Sequence, residues 1–201
     1  MRTIIVNGLP GAGKTTLAPR LASSLGLPLF SKDAVKETTA DVLGITPPDG
    51  RGSAEWNRAL GAAASETLWT LLGHAPLGAV IESPHLANTR HFAVAGLTRA
   101  GVDHRDVHEV WCDVPIELAR ARFEARAATR HPIHGDDRDK DAEWAYWATI
   151  AEPLGIGTLH RVDTSATVPD AVVAALAVDI GQSPTASPAS WPPVKISHCD
   201  A

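Results

Sequence analysis

Apolar residues along this chain fall into short continuous runs, separated by longer stretches in which they recur every three to four positions. The runs at residues 2–7, 28–30, 77–82, 107–114 and 157–163 are bounded by Gly, Pro or polar residues, as expected of strands buried on both faces. The periodic stretches predict helices over 14–25, 33–43, 54–72, 89–100, 141–150 and 169–180. A further helix opens at Pro115 and carries Leu118, Arg122 and Arg126. Gly26, Gly44 and Gly101 stand where three of these helices stop. Strand and helix alternate, which predicts an α/β fold around a mainly parallel sheet. Residues 46–50 have the turn chemistry of a loop, and 131–137 are polar and irregular. From residue 182 onward the chain is rich in Ser, Pro and Ala without periodicity, so we expect one domain over 1–181 and a tail over 182–201.

The first strand leads directly into Gly8-Leu9-Pro10-Gly11-Ala12-Gly13-Lys14-Thr15, and Thr16 continues into the first helix. The octapeptide fits G-x-x-x-x-G-K-[ST], the phosphate-binding P-loop, in the strand–turn–helix context the motif requires. Gly8, Gly11 and Gly13 let the backbone curl around phosphate oxygens while the helix N-terminus offers N–H groups. Lys14 reaches the β- and γ-phosphates, and the Thr15 hydroxyl can bind Mg²⁺.

Composition narrows the field. The net charge of −5 over 201 residues lacks the basic stripe of a nucleic-acid binder. The two cysteines, Cys112 in an apolar strand and Cys199 near the end, do not make a disulfide framework. No apolar run approaches the ~20 residues of a membrane span, and no signal-like segment precedes the first strand, so a cytoplasmic protein is expected.

Other candidate residues gather at predicted strand ends. Asp33 follows the second strand, where the carboxyl end faces a ligand crevice. It can take a proton from an attacking hydroxyl, or cap the next helix. Lys36, one turn on, can hold a substrate. Glu82 ends the third strand and can serve Mg²⁺, touch substrate, or be a solvated carboxylate. Arg120, Arg122, Arg126 and Arg130 precede His131-Pro132-Ile133-His134-Gly135, which reads as a lid over about 126–140. These arginines suit a transferring phosphoryl group, with the alternative of a charged helix face paired to Glu124. His131 and His134 lack the further ligands of a zinc site, so His134 is assigned to substrate contact. Trp144 and Trp147 share a helix face and are expected in the core.

These residues resemble the P-loop kinases of the nucleotide and nucleoside kinase superfamily. The segment Ser31-Lys32-Asp33-Ala34-Val35-Lys36 is similar to the one holding the general-base aspartate in the kinase domain of phage polynucleotide kinase and related small bacterial kinases. Val80-Ile81-Glu82-Ser83 with Asn88-Thr89-Arg90 look like their third strand and the following loop, and Asp113-Val114-Pro115 with Leu118 and Arg122–Arg126 look like their fourth strand and lid-base helix. Those kinases usually have Asp at the position of Glu82. Chloramphenicol phosphotransferase and gluconate kinase resemble the chain more distantly. The resemblance covers about residues 1–180. It implies a three-layer fold with a five-stranded parallel sheet of order 2-3-1-4-5. It also implies phosphoryl transfer from ATP, with Mg²⁺, to a hydroxyl of a nucleoside, sugar or antibiotic-like small molecule. Lys14, Asp33 and Arg126 would be catalytic; residues 8–16, Arg122 and Arg130 would hold ATP; Asp33, Lys36, Glu82, Arg90 and His134 would face the acceptor. A polynucleotide 5′-hydroxyl kinase and a non-kinase nucleotide-binding ATPase or regulator are the other readings.

Overall fold

The computed structural model describes residues 1–47, 50, 52–134 and 140–182. Five strands, β1 (Arg2–Asn7), β2 (Leu29–Ser31), β3 (Gly78–Glu82), β4 (Val107–Asp113) and β5 (Thr158–Asp163), form one parallel sheet of order β2-β3-β1-β4-β5. The helices are α1 (Lys14–Leu25), α2 (Lys32–Leu43), α3 (Ser53–Gly73), α4 (Arg90–Arg99), α5 (Ile116–Ala125), α6 (Lys140–Ile150) and α7 (Asp170–Gln182). Gln182, expected to begin the tail, closes α7; residues 183–201 lie outside the described residues, as do 135–139 of the expected lid.

β1 is central and buried on both faces, which is why it reads as an unbroken apolar run. Ile4 and Val6 join Leu17, Leu21, Val80, Val110 and Val173 on the α1–α7 side. Ile5 faces the other way, toward Leu68, Trp69, Leu72, Ile81 and Leu97 of α3, β3 and α4. Side-chain alternation along a strand serves both cores at once. Gly78 starts β3 at φ +97°, where a Cβ would collide with the Arg2 carbonyl.

Two boundaries depart from expectation for backbone reasons. Pro115 has φ −55° and ψ 137° and is the N-cap of α5, so the helix proper begins at Ile116. α5 ends at Ala125, and Arg126 is its C-cap, turning the chain into the short 3₁₀ turn Ala127–Thr129.

The register sets the site. Ser31 pairs with Glu82, and Glu82 with Val6, so the ends of β2 and β3 lie beside the start of the phosphate loop. Strand order reverses around β1, the place where open α/β sheets bind ligands beyond their carboxyl ends.

The expected lid is partly docked. The 3₁₀ turn Pro132–His134 puts Ile133, 3% exposed, into a small cluster with Ala40 of α2 and Trp56 and Leu60 of α3. His131 Nε2 lies 3.0 Å from Asp41 Oδ1, and His134 Nε2 lies 2.8 Å from Glu37 Oε1. Burying an isoleucine is worth about 1.5–3 kcal/mol, whereas a hydrogen bond contributes a net of about 0.5–1.5 kcal/mol. The docking therefore rests mainly on Ile133, and the histidine pairs set its register.

Candidate active site

Between β1 and α1, Gly8, Gly11 and Gly13 take φ values of +142°, +83° and +90°. Gly11 is fixed twice over, because a Cβ there would also strike the Ala119 carbonyl of α5. Gly13 caps α1 with no side-chain acceptor, which leaves the helix N-terminus to an anion. The buried Lys14 donates to the carbonyls of Gly8 (3.0 Å) and Leu9 (2.8 Å). Burial lowers its pKa, against the pull of Glu82, Cys112 and Asp33.

A buried network holds the mouth of this loop. Asn7 Oδ1 accepts the Gly8 N–H at 2.8 Å, while Asn7 Nδ2 donates to Glu109 Oε1 (2.9 Å) and to the His85 carbonyl. Glu109 is fully buried and also accepts the N–H groups of Leu154 (2.7 Å) and Gly155 (2.8 Å). An ionised carboxylate can only accept, so Glu109 fixes which way the Asn7 amide points.

Glu82 is 3% exposed, so it is not a solvated strand end. Its Oε1 accepts from Thr15 Oγ1 at 3.3 Å and its Oε2 from Ser31 Oγ at 2.6 Å. Ser31, not Asp33, is the N-cap of α2, and the Asp33 carboxylate makes no hydrogen bond with the described residues. The capping alternative for Asp33 thus falls away. Asp33 lines a cleft of about 950 Å³ together with Pro10, Gly11, Gly13, Lys14, Thr15, Thr16 and Glu82. Lys36 and His134 line the same cleft. Lys36 Nζ donates to Asn57 Oδ1 at 2.6 Å, and Asn57 Nδ2 donates to the Ile133 carbonyl at 2.5 Å. Burial lowers the His134 pKa, although Asp33 and Glu37 pull it upward.

The comparisons with known proteins agree with this geometry. The family model described as AAA domain matches residues 4–151. A candidate kinase of Chloroflexus aurantiacus is 31% identical, with TM-score 0.72, the match covering 92% of this chain and 98% of that one. The chain belongs to the AAA domain family and is a P-loop kinase. An APS kinase of Mycobacterium tuberculosis, solved with AMPPNP and APS, shares the kinase's fold at 20% identity and TM-score 0.56, covering 90% and 98% of the two chains. A shikimate kinase of Acinetobacter baumannii, solved with shikimate, does so at 17% and 0.56, covering 90% and 92%. No curated protein matches the sequence.

The arginines of the kinase divide by position. Arg126 is exposed and lines both the cleft and a second cavity of about 360 Å³ beyond Gly11 and Gly13, between Thr16, Arg122 and Thr164–Val168. Arg130 lies 4.1 Å over the Phe123 ring and lines the main cleft. Arg122 is turned away from that cleft: it donates to the carbonyls of Thr164 (2.8 Å) and Ser165 (2.7 Å), holding the loop after β5 at the edge of the second cavity. Arg120 pairs with Glu124 and Asp141 outside both cavities. Arg90 is also outside them. Its guanidinium donates to the carbonyls of Leu154 (2.8 Å) and Gly155 (3.2 Å), bracing the loop between α6 and β5 whose N–H groups Glu109 holds. This corrects its assignment to substrate. Trp144 is in the core as expected, with Phe123 and Trp147 edge-on to it, and Trp147 lines the cleft.

Asn57, Glu109 and Lys32 take part in the site without having been singled out by sequence. Asn57 follows the buried Trp56 in an otherwise apolar helical stripe, and Glu109 interrupts an apolar strand; a polar residue in such a place is the available signal.

No described helix of the kinase is long and apolar enough to cross a membrane.

Proposed function

We propose that this kinase moves the γ-phosphoryl group of ATP to a hydroxyl of a small molecule, with Asp33 as general base. The observation that carries the reading is Asp33: a carboxylate with no hydrogen bond among the described residues, in the wall of the cleft that also holds Lys14 and Thr15. The nucleoside would sit in the second cavity, edged by Arg122 and the loop after β5, with its phosphates passing Gly11 and Gly13 into the main cleft. The neighbouring APS kinase, solved with AMPPNP, favours an adenine nucleotide.

The donor set suits Mg²⁺: the Thr15 hydroxyl and the buried Glu82 carboxylate are hard oxygen ligands, already 3.3 Å apart. When bound, the ion neutralises charge on the β- and γ-oxygens. The chain's own residues do the rest. Lys14 exchanges its carbonyl partners for phosphate oxygens. Asp33 draws the proton from the acceptor hydroxyl as the new P–O bond forms and the bond to ADP breaks. Arg126, with Arg130, offsets charge as that bond opens. Lys36, held by Asn57, and His134 position the acceptor.

The acceptor would be a nucleoside, a sugar or an antibiotic-like alcohol. The docked turn Pro132–His134 walls the acceptor side against α2 and α3, a shape for a small molecule rather than a strand of nucleic acid. The net charge of −5 weighs the same way. The compartment we assign is the cytoplasm, because two cysteines in 201 residues make no disulfide framework. Incubation with Mg·ATP and pooled nucleosides, sugars, hydroxy acids and aminocyclitols, followed by mass spectrometry, tests the reading. Gain of one HPO₃ unit by an alcohol supports it. ADP formation with no modified alcohol in any pool would favour the ATPase alternative.

A further inference from the structure

Lys32 is a cation of the cleft that stands beside the general base. Lys32 is the first residue of α2, directly after β2, and lines the main cleft with Lys14, Thr15 and Asp33. It is half-buried, yet it has neither a hydrogen bond nor an ion pair with any described residue. Asp33 is adjacent in sequence and its charge acts on Lys32, but no ion pair within 4.0 Å joins them. Burial lowers the Lys32 pKa, with Asp33 only partly compensating.

The charges of Lys32 and Lys14 both act on the buried imidazole of His85 and, after burial, lower its pKa. The strand register agrees, because Ser31, the residue before Lys32, sits beside Glu82, which sits beside Val6 at the start of the phosphate loop. Two ammonium groups facing one cleft repel. Lys14 is compensated by the Gly8 and Leu9 carbonyls and by Glu82. Among the described residues Lys32 has no such set. An ammonium withdrawn in part from water gains from an anion that completes it.

We propose that Lys32 is a second phosphate-holding lysine, contacting the γ-phosphate of bound ATP from the acceptor side, opposite Lys14. The inference rests on reading the cleft as a phosphoryl-transfer site. It gives the γ-phosphate a cation on each side, one from the phosphate loop and one beside the general base. Because Lys32 and Asp33 are adjacent, the same turn of α2 would aim the phosphoryl group and the attacking hydroxyl at each other. Lys32 would therefore contribute to γ-phosphate recognition and contribute nothing to ADP.

Binding can test this without an identified acceptor. Calorimetry would compare Mg·AMP-PNP and Mg·ADP on the wild type, Lys32→Met and Lys32→Arg. A charge-assisted hydrogen bond is worth about 1.5–3 kcal/mol, or roughly 10–150-fold in affinity. Lys32→Met should lose about that factor for AMP-PNP and keep its ADP affinity within about twofold. Lys32→Arg should recover most of the loss, which separates charge from folding. A Met variant with an unchanged ratio of AMP-PNP to ADP affinity overturns the proposal, and so does an equal loss for both ligands. A wild type that binds neither ligand would overturn the nucleotide reading itself, and this proposal with it.

Discussion

Thr15 and Glu82, 67 residues apart in sequence, meet at 3.3 Å between Oγ1 and Oε1, where the phosphate loop passes the end of β3. The carboxylate is held from its other side by Ser31. The pair joins the first turn of α1 to two strand ends and brings one hydroxyl and one carboxylate together at the mouth of the phosphate loop.

If Glu82 steadies Mg²⁺ together with Thr15, Glu82→Gln should lower phosphoryl transfer by roughly 10–100-fold, the usual size for a partner of a metal site. The Mg²⁺ concentration for half-maximal activity should rise in parallel. Titration of activity with Mg²⁺ checks this. A variant with lowered activity but an unchanged Mg²⁺ midpoint would show that Glu82 acts on the acceptor instead.

Asp33→Asn removes a base without removing a structural bond, because the Asp33 carboxylate has none among the described residues. Turnover should fall by ~10²-fold or more, with little change in melting temperature. Thermal unfolding and steady-state kinetics on the same preparation test the two halves of this statement. A clear drop in stability with retained turnover would contradict it.

Much of this molecule is legible in its sequence, and the remainder shows what sequence leaves out. The boundaries of β1 and α1 follow from local patterns, an apolar run and the spacing of three glycines, whereas the strand order is implied by the family resemblance alone. Arg90 and Arg122 are different. An arginine in the loop after a strand, or in a basic cluster beside an expected lid, reads as a ligand contact. Here both are claimed by backbone carbonyls, at Leu154 and Gly155 for one and at Thr164 and Ser165 for the other, more than 40 residues away. Loop carbonyls carry no mark in a sequence, so nothing local shows which arginine they capture. The link from Lys36 through Asn57 to Ile133 is likewise a product of packing, since it needs α2, α3 and the turn Pro132–His134 in contact. Asp33 stands on the other side of that line: its place at a strand end exposes it to the cleft whatever packs around it.

Arg126 bridges the two cavities from the C-cap of α5. An arginine that acts as charge develops should affect turnover more than nucleotide affinity. Arg126→Ala is expected to lower kcat by roughly 10²–10³-fold, toward the lower end of arginine-finger effects, with KM for ATP changed far less. Loss confined to KM would place Arg126 in ground-state binding only.

Acid should weaken the fold through His85. Burial against Trp69, together with the Lys32 and Lys14 charges, lowers its pKa from 6.5 to about 3. In the unfolded chain the imidazole takes up a proton near pH 6.5; in the folded chain it does so only near 3. Stability from this group is therefore complete above pH 6.5 and is lost as pH falls from 6.5 toward 3. The slope approaches about 1.4 kcal/mol per pH unit. Urea unfolding at pH 6.5 and 5.0 should differ by about 2 kcal/mol on this account, and His85→Phe, which keeps a ring against Trp69, should remove most of that difference. An equal pH slope in the two proteins would contradict the assignment.

The central claim is transfer of phosphoryl to an organic hydroxyl, and the fate of the γ-phosphorus tests it most directly. ATP labelled in the γ-phosphate would be incubated with the protein, Mg²⁺ and the small-molecule fraction of a bacterial extract. Phosphate esters would then be separated from inorganic phosphate. Extract-dependent label should appear in an organic ester, matched by ADP, and none should appear with Lys14→Ala. Label found only as inorganic phosphate, or equal ester formation by Lys14→Ala, would contradict it.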